Sequence, residues 1–251
     1  MAPPSRILSE RIETLLADAG QGQKCAQILR FGVESLDGQL ADGGLRLGAL
    51  HEVASEDVSW ADDSAALLFM GGIAARLDGS VLWVLRSRDL FAPALYQVGL
   101  DPERVIYAEA RDDTELLAVM EEGLRHGSLA AVIGEAKRVS TTATRRLQLA
   151  ARDGDTLALM LRRPAKRGEQ AFALPSAAVS RWIVSQAPSM PVPWGGLGPA
   201  CWRLACVRQR GGHPFELIVE ASDETGRIAL PAQLVDRPVA PGRATTRSAA
   251  A

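Results

Sequence analysis

Apolar and polar positions follow two rhythms along the chain. Short apolar runs occur at 49–53 (ALHEV), 80–86 (SVLWVLR), 104–108 (RVIYA), 129–134 (LAAVIG) and 156–161 (TLALML). These predict strands, and the nearly unbroken run 80–86 predicts one buried on both faces. Between them, apolar residues recur at three- and four-residue spacing over 63–77, 90–99, 112–126 and 141–152, which predicts helices. Ser59 or Asp62 caps the first helix and Gly79 ends it. The third carries Asp113 and Glu115 near its start and Arg125 and His126 near its end, as the helix dipole favours. Alternating strands and helices predict an α/β fold with a mostly parallel central sheet flanked by helices.

The rhythm changes after residue 178. Strands are predicted over 178–186, 202–209 and 215–221, joined by Pro/Gly-rich turns with no helix between them. Successive strands without crossovers predict antiparallel additions to the sheet edge. At the other end, Ile7, Leu8, Ile12, Leu15 and Leu16 give a short amphipathic helix, read either as packed on its own domain or as an arm for a partner. The expected organisation is an N-terminal helical arm (1–24), a core (25–237) and a Pro/Ala/Arg/Thr-rich disordered tail (238–251).

Composition narrows the function classes. The 251 residues are 47% hydrophobic and 23% charged, which suits a globular core, and the net charge of −2 gives no global drive toward nucleic acid or anionic lipid. Three cysteines (Cys25, Cys201, Cys206) without C-x-x-C spacing fit a reducing cytoplasm. The first residues lack the apolar core of a signal peptide, and no apolar run suits a membrane span. No metal or cofactor is expected. His51-Glu52 has no partner histidine at ligand spacing and reads as a polar pair within the sheet.

The stretch around which the chain is organised is 31–53, FGVESLDGQLADGGLRLGALHEV. Gly43 and Gly44 permit a tight turn, and the strand at 49–53 enters the sheet. In nucleotide-binding α/β proteins a glycine-rich loop and a helix N-terminus would follow, aiming backbone N–H groups at a phosphate. Here the next residues, ASEDVSWADDSA, hold no glycine and no lysine but four carboxylates (Glu56, Asp57, Asp62, Asp63). Carboxylates beside a triphosphate would cost on the order of several kcal/mol in a partly dry site. The acidic stretch reads as solvent-exposed.

The phrase F-G-V-x-S-L-D followed by G-G-L-x-x-G resembles the approach to the phosphate loop in RecA-type ATPases, over roughly residues 31–221. More closely, FGVESLDGQLADGGLRLGALHEV, VLWVLRSRDLFAPAL, DPERVIYAEARDD, VMEEGLRHG and STTATRRLQLAA resemble the ImuA family, the RecA/SulA-like member of a DNA-damage-induced mutagenesis cassette. The resemblance implies a RecA-like core. It departs from the RecA pattern where chemistry is needed. No G-x-x-x-x-G-K-[ST] is present; Ser64 has no lysine beside it; Ile133-Gly134-Glu135 replaces apolar-apolar-Asp; and Arg86, Ser87 and Arg88 stand where a water-activating glutamate would follow the second core strand. The expectation is a non-catalytic protein.

Two basic groups stand at strand C-termini, the edge that carries the crevice in open α/β sheets. Arg86 and Arg88 either pair with Asp89 or meet a partner or a DNA phosphate. Arg162, Arg163, Lys166 and Arg167 form the densest basic run and the first candidate for nucleic-acid or polymerase contact, against a solvated basic loop. Trp83 and Trp202 read as core, and Trp194, in a Pro/Gly loop, as an interface anchor or a plug over the core. The family resemblance implies the SOS response and error-prone translesion synthesis. The implied partners are a Y-family-like ImuB protein, RecA and, through the complex, an error-prone C-family DNA polymerase. Weak DNA contact and self-association stay open. A SulA-like cell-division inhibitor and a non-standard RecA-type ATPase are the rival readings.

Overall fold

The apolar runs become the strands of one sheet. In the computed structural model, which describes residues 27–87, 89–137, 139–163, 170–192 and 196–231, an eight-stranded sheet has the order β10-β9-β8-β3-β7-β6-β4-β5. The expected arm at 1–24 and tail at 238–251 lie outside the described residues. A two-stranded antiparallel sheet, β1 (Ile28–Leu29) with β2 (Leu45–Arg46), precedes β3 (Leu50–Ser55), with the one-turn helix α1 (Glu34–Asp37) between its strands. The glycine pair closes this entry. Gly43 has φ +70°, and a Cβ on Gly44 would fall 2.7 Å from the Leu29 carbonyl oxygen, so only glycine fits.

From β3 the chain runs through α2 (Trp60–Ala75), β4 (Val81–Leu85), α3 (Ala92–Gln97) and β5 (Val105–Glu109). It continues through α4 (Asp113–His126), β6 (Ala131–Glu135), α5 (Thr141–Asp153) and β7 (Leu157–Arg162). Every pairing among β3, β4, β5, β6 and β7 is parallel. The chain closes with β8 (Ser180–Ala187), β9 (Cys201–Gln209) and β10 (Phe215–Glu220). The last two are antiparallel additions, as expected. The first is not: β8 pairs parallel with β3. A parallel neighbour needs a crossover, not a helix as such, and the stretch between Arg162 and Ser180 is long enough to make one.

Period-two alternation splits the core into two layers. Leu157, Leu159 and Leu161 of β7 join Phe69 and Met70 of α2 and Trp83, Trp182 and Trp202 on one face. Ala158 and Met160 join Leu116 and Met120 of α4 and Leu147 of α5 on the other. On the first face the Phe69 ring lies 6.0 Å from Phe31 and 5.9 Å from Trp182. Trp83 and Trp202 are buried, as their apolar context implies.

Candidate functional site

The loops leaving β3 and β6 lead to α2 and α5 on opposite faces, so a crevice opens at the C-terminal edge of the sheet. In this place an anion would rest on the first turn of α2. The protein supplies its own anions there. The Ser59 hydroxyl accepts from the Asp62 N–H at 3.0 Å, and Asp62 and Asp63 occupy the first turn at the positive end of the dipole. An Asp62 carboxylate oxygen accepts from the Gln186 N–H at 2.9 Å. The Ser64 hydroxyl donates to the Trp60 carbonyl at 2.6 Å, inside the helix. Glu56 pairs with Arg203. The acidic stretch is therefore tied into the fold by several of its members, rather than standing free in solvent as its composition suggests.

Arg163 holds the centre of the crevice. Its Nη1 donates to Asp89 Oδ2 at 2.9 Å, and its Nε lies 3.1 Å from Glu135 Oε1 and 3.8 Å from Asp63 Oδ2. One guanidinium thus faces three carboxylates. Burial pushes the Glu135 carboxyl above its ordinary range, against the pull of Arg163. Burial also pushes on Asp89, but the Arg163 hydrogen bond and charge outweigh it and hold that carboxyl low. Glu135, at the position where a metal-holding aspartate would end its strand, is thereby engaged with an arginine. Among the described residues no group of three His, Cys, Asp or Glu side chains is arranged to hold a metal ion.

The sequence-marked arginines part company here. Arg86 donates to Asp113 at 2.6 Å, not to Asp89, tying the end of β4 to the start of α4. Arg162 is still within β7 and only 6% exposed. Its Nη1 donates to Glu52 Oε1 at 3.1 Å, while Arg181 Nε donates to Glu52 Oε2 at 2.8 Å. Arg181 is held further by the Leu174 carbonyl at 2.7 Å and by the Phe172 ring, 5.0 Å from its guanidinium carbon. The structure thus puts Arg162 in the core beside fully buried Glu52, and puts Arg163 in the crevice. Arg88, Lys166, Arg167 and Trp194 lie outside the described residues.

His51, next to Glu52, points to the opposite face. Its Nδ1 is 2.6 Å from the Ser180 hydroxyl, which also accepts from Trp182 Nε1 at 2.6 Å. A hydroxyl accepting from Trp182 donates to Nδ1, so the proton sits on Nε2 and goes to the Arg46 carbonyl at 2.8 Å. Burial lowers the His51 pKa to about 4. The imidazole is a neutral structural link, in keeping with the reading of His51-Glu52 as polar residues within the sheet.

Beside Arg163 an open groove runs between the first half of α2 and the segment leading into α3. Leu67, Leu68, Leu90 and Leu95 form its apolar wall, and Asp63 and Asp89 its polar end. Trp60 is 85% exposed and Phe91 68% at its rim. Two large aromatics thus stand in solvent beside one groove. The sequence signal for Trp60 was available: it directly follows a capping serine, ahead of the apolar face of its helix.

No family model matches the chain. Protein ImuA of Caulobacter vibrioides, in strains NA1000/CB15N and CB 15, is 39% identical over 233 residues, spanning 88% of this chain and 95% of the relative. SulA from Pseudomonas aeruginosa is a solved structure with a TM-score of 0.40 and 22% identity, covering 46% of this chain and 98% of that one. The ImuA match extends over nearly the full length of the relative, well beyond the approach segment and its glycine turn, and on that evidence this chain belongs to the ImuA family.

Proposed function

We propose that this protein is a non-catalytic accessory factor of damage-induced, error-prone translesion DNA synthesis. In this reading it acts as an adaptor for a Y-family-like ImuB protein, an error-prone C-family DNA polymerase and RecA. Family membership supports the mutagenesis context. The observation that carries the adaptor reading is the crevice: where a phosphate would need donors and a lysine, Arg163 is shared among Asp63, Asp89 and Glu135. A triphosphate there would have to displace those pairs and approach three carboxylates. A fold that keeps its crevice but fills it with its own charges serves as a binding surface, and the aromatic rim of the groove is the surface it offers.

Two measurements test this. Calorimetry with Mg²⁺ and ATP is expected to show no binding; micromolar affinity would restore the ATPase reading. Size-exclusion with light scattering is expected to show a complex with the cognate ImuB or RecA. Trp60→Ala/Phe91→Ala should weaken that complex at least about tenfold, because exposed aromatics are common interface anchors. The same pair should leave stability within about 0.5 kcal/mol, since both side chains are largely in solvent. These variants replace any change at Arg162, whose loss would act through the core. No complex with either protein would sink the adaptor reading.

A further inference from the structure

The eight-stranded sheet has two edges, and they are finished differently. At one edge stands β10, which the chain guards. Glu216 and Glu220 lie along it, Glu216 paired with Arg203, and the Glu220 N–H donates to the Ala229 carbonyl at 2.8 Å, so a following segment bridges its end. Charges and covering segments keep an edge from pairing with another chain. At the other edge stands β5, Val-Ile-Tyr-Ala-Glu, which among the described residues is paired with β4 alone. It runs in unbroken register with β4, without a bulge, and holds no proline and no charge before Glu109.

Backbone and side chains of β5 both reach outward. The Ala110 N–H donates to the Leu85 carbonyl at 2.8 Å. By alternation Ile106 and Ala108 turn their peptide groups to β4, and Val105 and Tyr107 turn theirs to the open side. Tyr107 stands beside Trp83 on the α2 face and is 42% exposed; Ile106 stands beside Leu82 on the α4 face and is 51% exposed. The edge thus offers a donor–acceptor row with a large apolar side chain on each face.

The charges flanking β5 name the occupant. Before it comes Glu103, in the turn Pro102–Arg104, and after it comes Arg111; both are exposed. A second copy laid antiparallel along β5, with Tyr107 on the two-fold axis, brings Glu103 of each copy toward Arg111 of the other. The same register sets Ile106 opposite Ala108, large against small on both sides of the axis. Moving the axis to Ile106 sets Glu103 against Glu109, and moving it to Ala108 sets Glu103 against Asp113. The edge is therefore complementary to itself about Tyr107 and in neither neighbouring register.

We infer that two copies of this protein associate through β5, antiparallel and centred on Tyr107, joining their sheets into one across a two-fold axis. The pairing consumes both open edges, and guarded β10 does not extend it, so the assembly closes as a dimer. No residue of β5 lines the groove, so the dimer stands or falls apart from the adaptor reading.

Light scattering over a dilution series of the full chain tests it. A concentration-dependent dimer is expected. Tyr107→Pro should weaken it at least about tenfold, because it removes an N–H on the open side, where an edge strand tolerates proline. Tyr107→Lys keeps that N–H but sets like charges across the axis, and should act in the same direction. Tyr107→Cys, at a concentration where it is dimeric, should cross-link with a short bis-maleimide, since the two Cα atoms stand about 5.5 Å apart. Glu103→Cys should not, being more than about 20 Å from its counterpart along the strand. Cys201 and Cys206 are buried, and the unaltered protein reports any reaction elsewhere. A monomer at every concentration overturns the inference. So does a dimer that withstands both Tyr107→Pro and Tyr107→Lys, failure of Tyr107→Cys to cross-link, or equal cross-linking at the two positions.

Discussion

Arg162 and Arg163 are neighbours in sequence and strangers in the fold. Successive residues at the end of β7 point to opposite faces. Arg162 goes to the α4/α5 side and completes a buried triad with Glu52 and Arg181; Arg163 goes to the α2 side and is shared among three carboxylates at the rim of a groove. The pair His51 and Glu52 on β3 divides the same way. Arg162 and Arg163, read as parts of one basic run, are therefore two features, and of the run's described members Arg163 is the one that faces the groove. Substitutions that treat the run as one unit would confuse loss of core with loss of site.

The largest effect separates the two arginines. Arg162→Ala leaves Glu52 with half its compensation in the interior and is expected to cost about 3–5 kcal/mol. Glu52→Gln, which leaves two buried guanidiniums facing one neutral amide, should fall in the same range. Arg163→Ala should cost about 1–2 kcal/mol, because Asp63 and Asp89 are partly exposed and can rehydrate, and the buried Glu135 can take up a proton. Urea denaturation of the three variants checks this. Equal losses at the two arginines would erase the distinction between core and crevice.

The histidine on the same strand gives an effect of intermediate size with a definite direction. The unfolded chain protonates His51 near 6.5, whereas the native site does so only near 4. Between these values the unfolded state holds more protons, so acidification favours it. The contribution of this site is complete above pH 6.5 and is lost as the pH falls toward 4, by about 3 kcal/mol in all. His51→Gln should flatten that part of the profile in denaturation curves taken from pH 7 to 4. An unchanged slope would show that the imidazole is not held neutral by burial.

Much of this was legible beforehand, for physical reasons that also mark where reading stops. The strands and helices from residue 50 to 162 declare themselves because a buried parallel strand has to be apolar almost throughout, as Val81–Leu85 is. The parallel placement of β8 was hidden because nothing in its own sequence records which neighbour it takes, and its crossover carries no helix pattern. The fate of Arg162 turned on one residue: a strand ending at Leu161 releases both arginines into a loop, whereas a strand ending at Arg162 commits the first to a face. The three-carboxylate site around Arg163 joins residues 63, 89, 135 and 163, which only the sheet order brings together.

A third arginine network gives the smallest effect and the sharpest control. Arg203 lies between Glu56 and Glu216, one base between two acids, the inverse of Glu52 between two arginines. Its hydrogen bond holds the Glu56 carboxyl below its ordinary range. Its side chains are 28%, 46% and 53% exposed for Arg203, Glu56 and Glu216, where those of Glu52, Arg162 and Arg181 are at most 10% exposed. Water and salt can reach the first network and not the second. Arg203→Ala should therefore cost under about 1 kcal/mol at low salt, and that cost should fade toward zero near 1 M salt, where screening acts within about 3 Å. The cost of Arg162→Ala should hardly move over the same range, because its penalty is desolvated charge rather than lost surface attraction. If both costs fell with salt in parallel, ions would be entering the Glu52 triad, and the line drawn between the two faces of β7 would have to be moved.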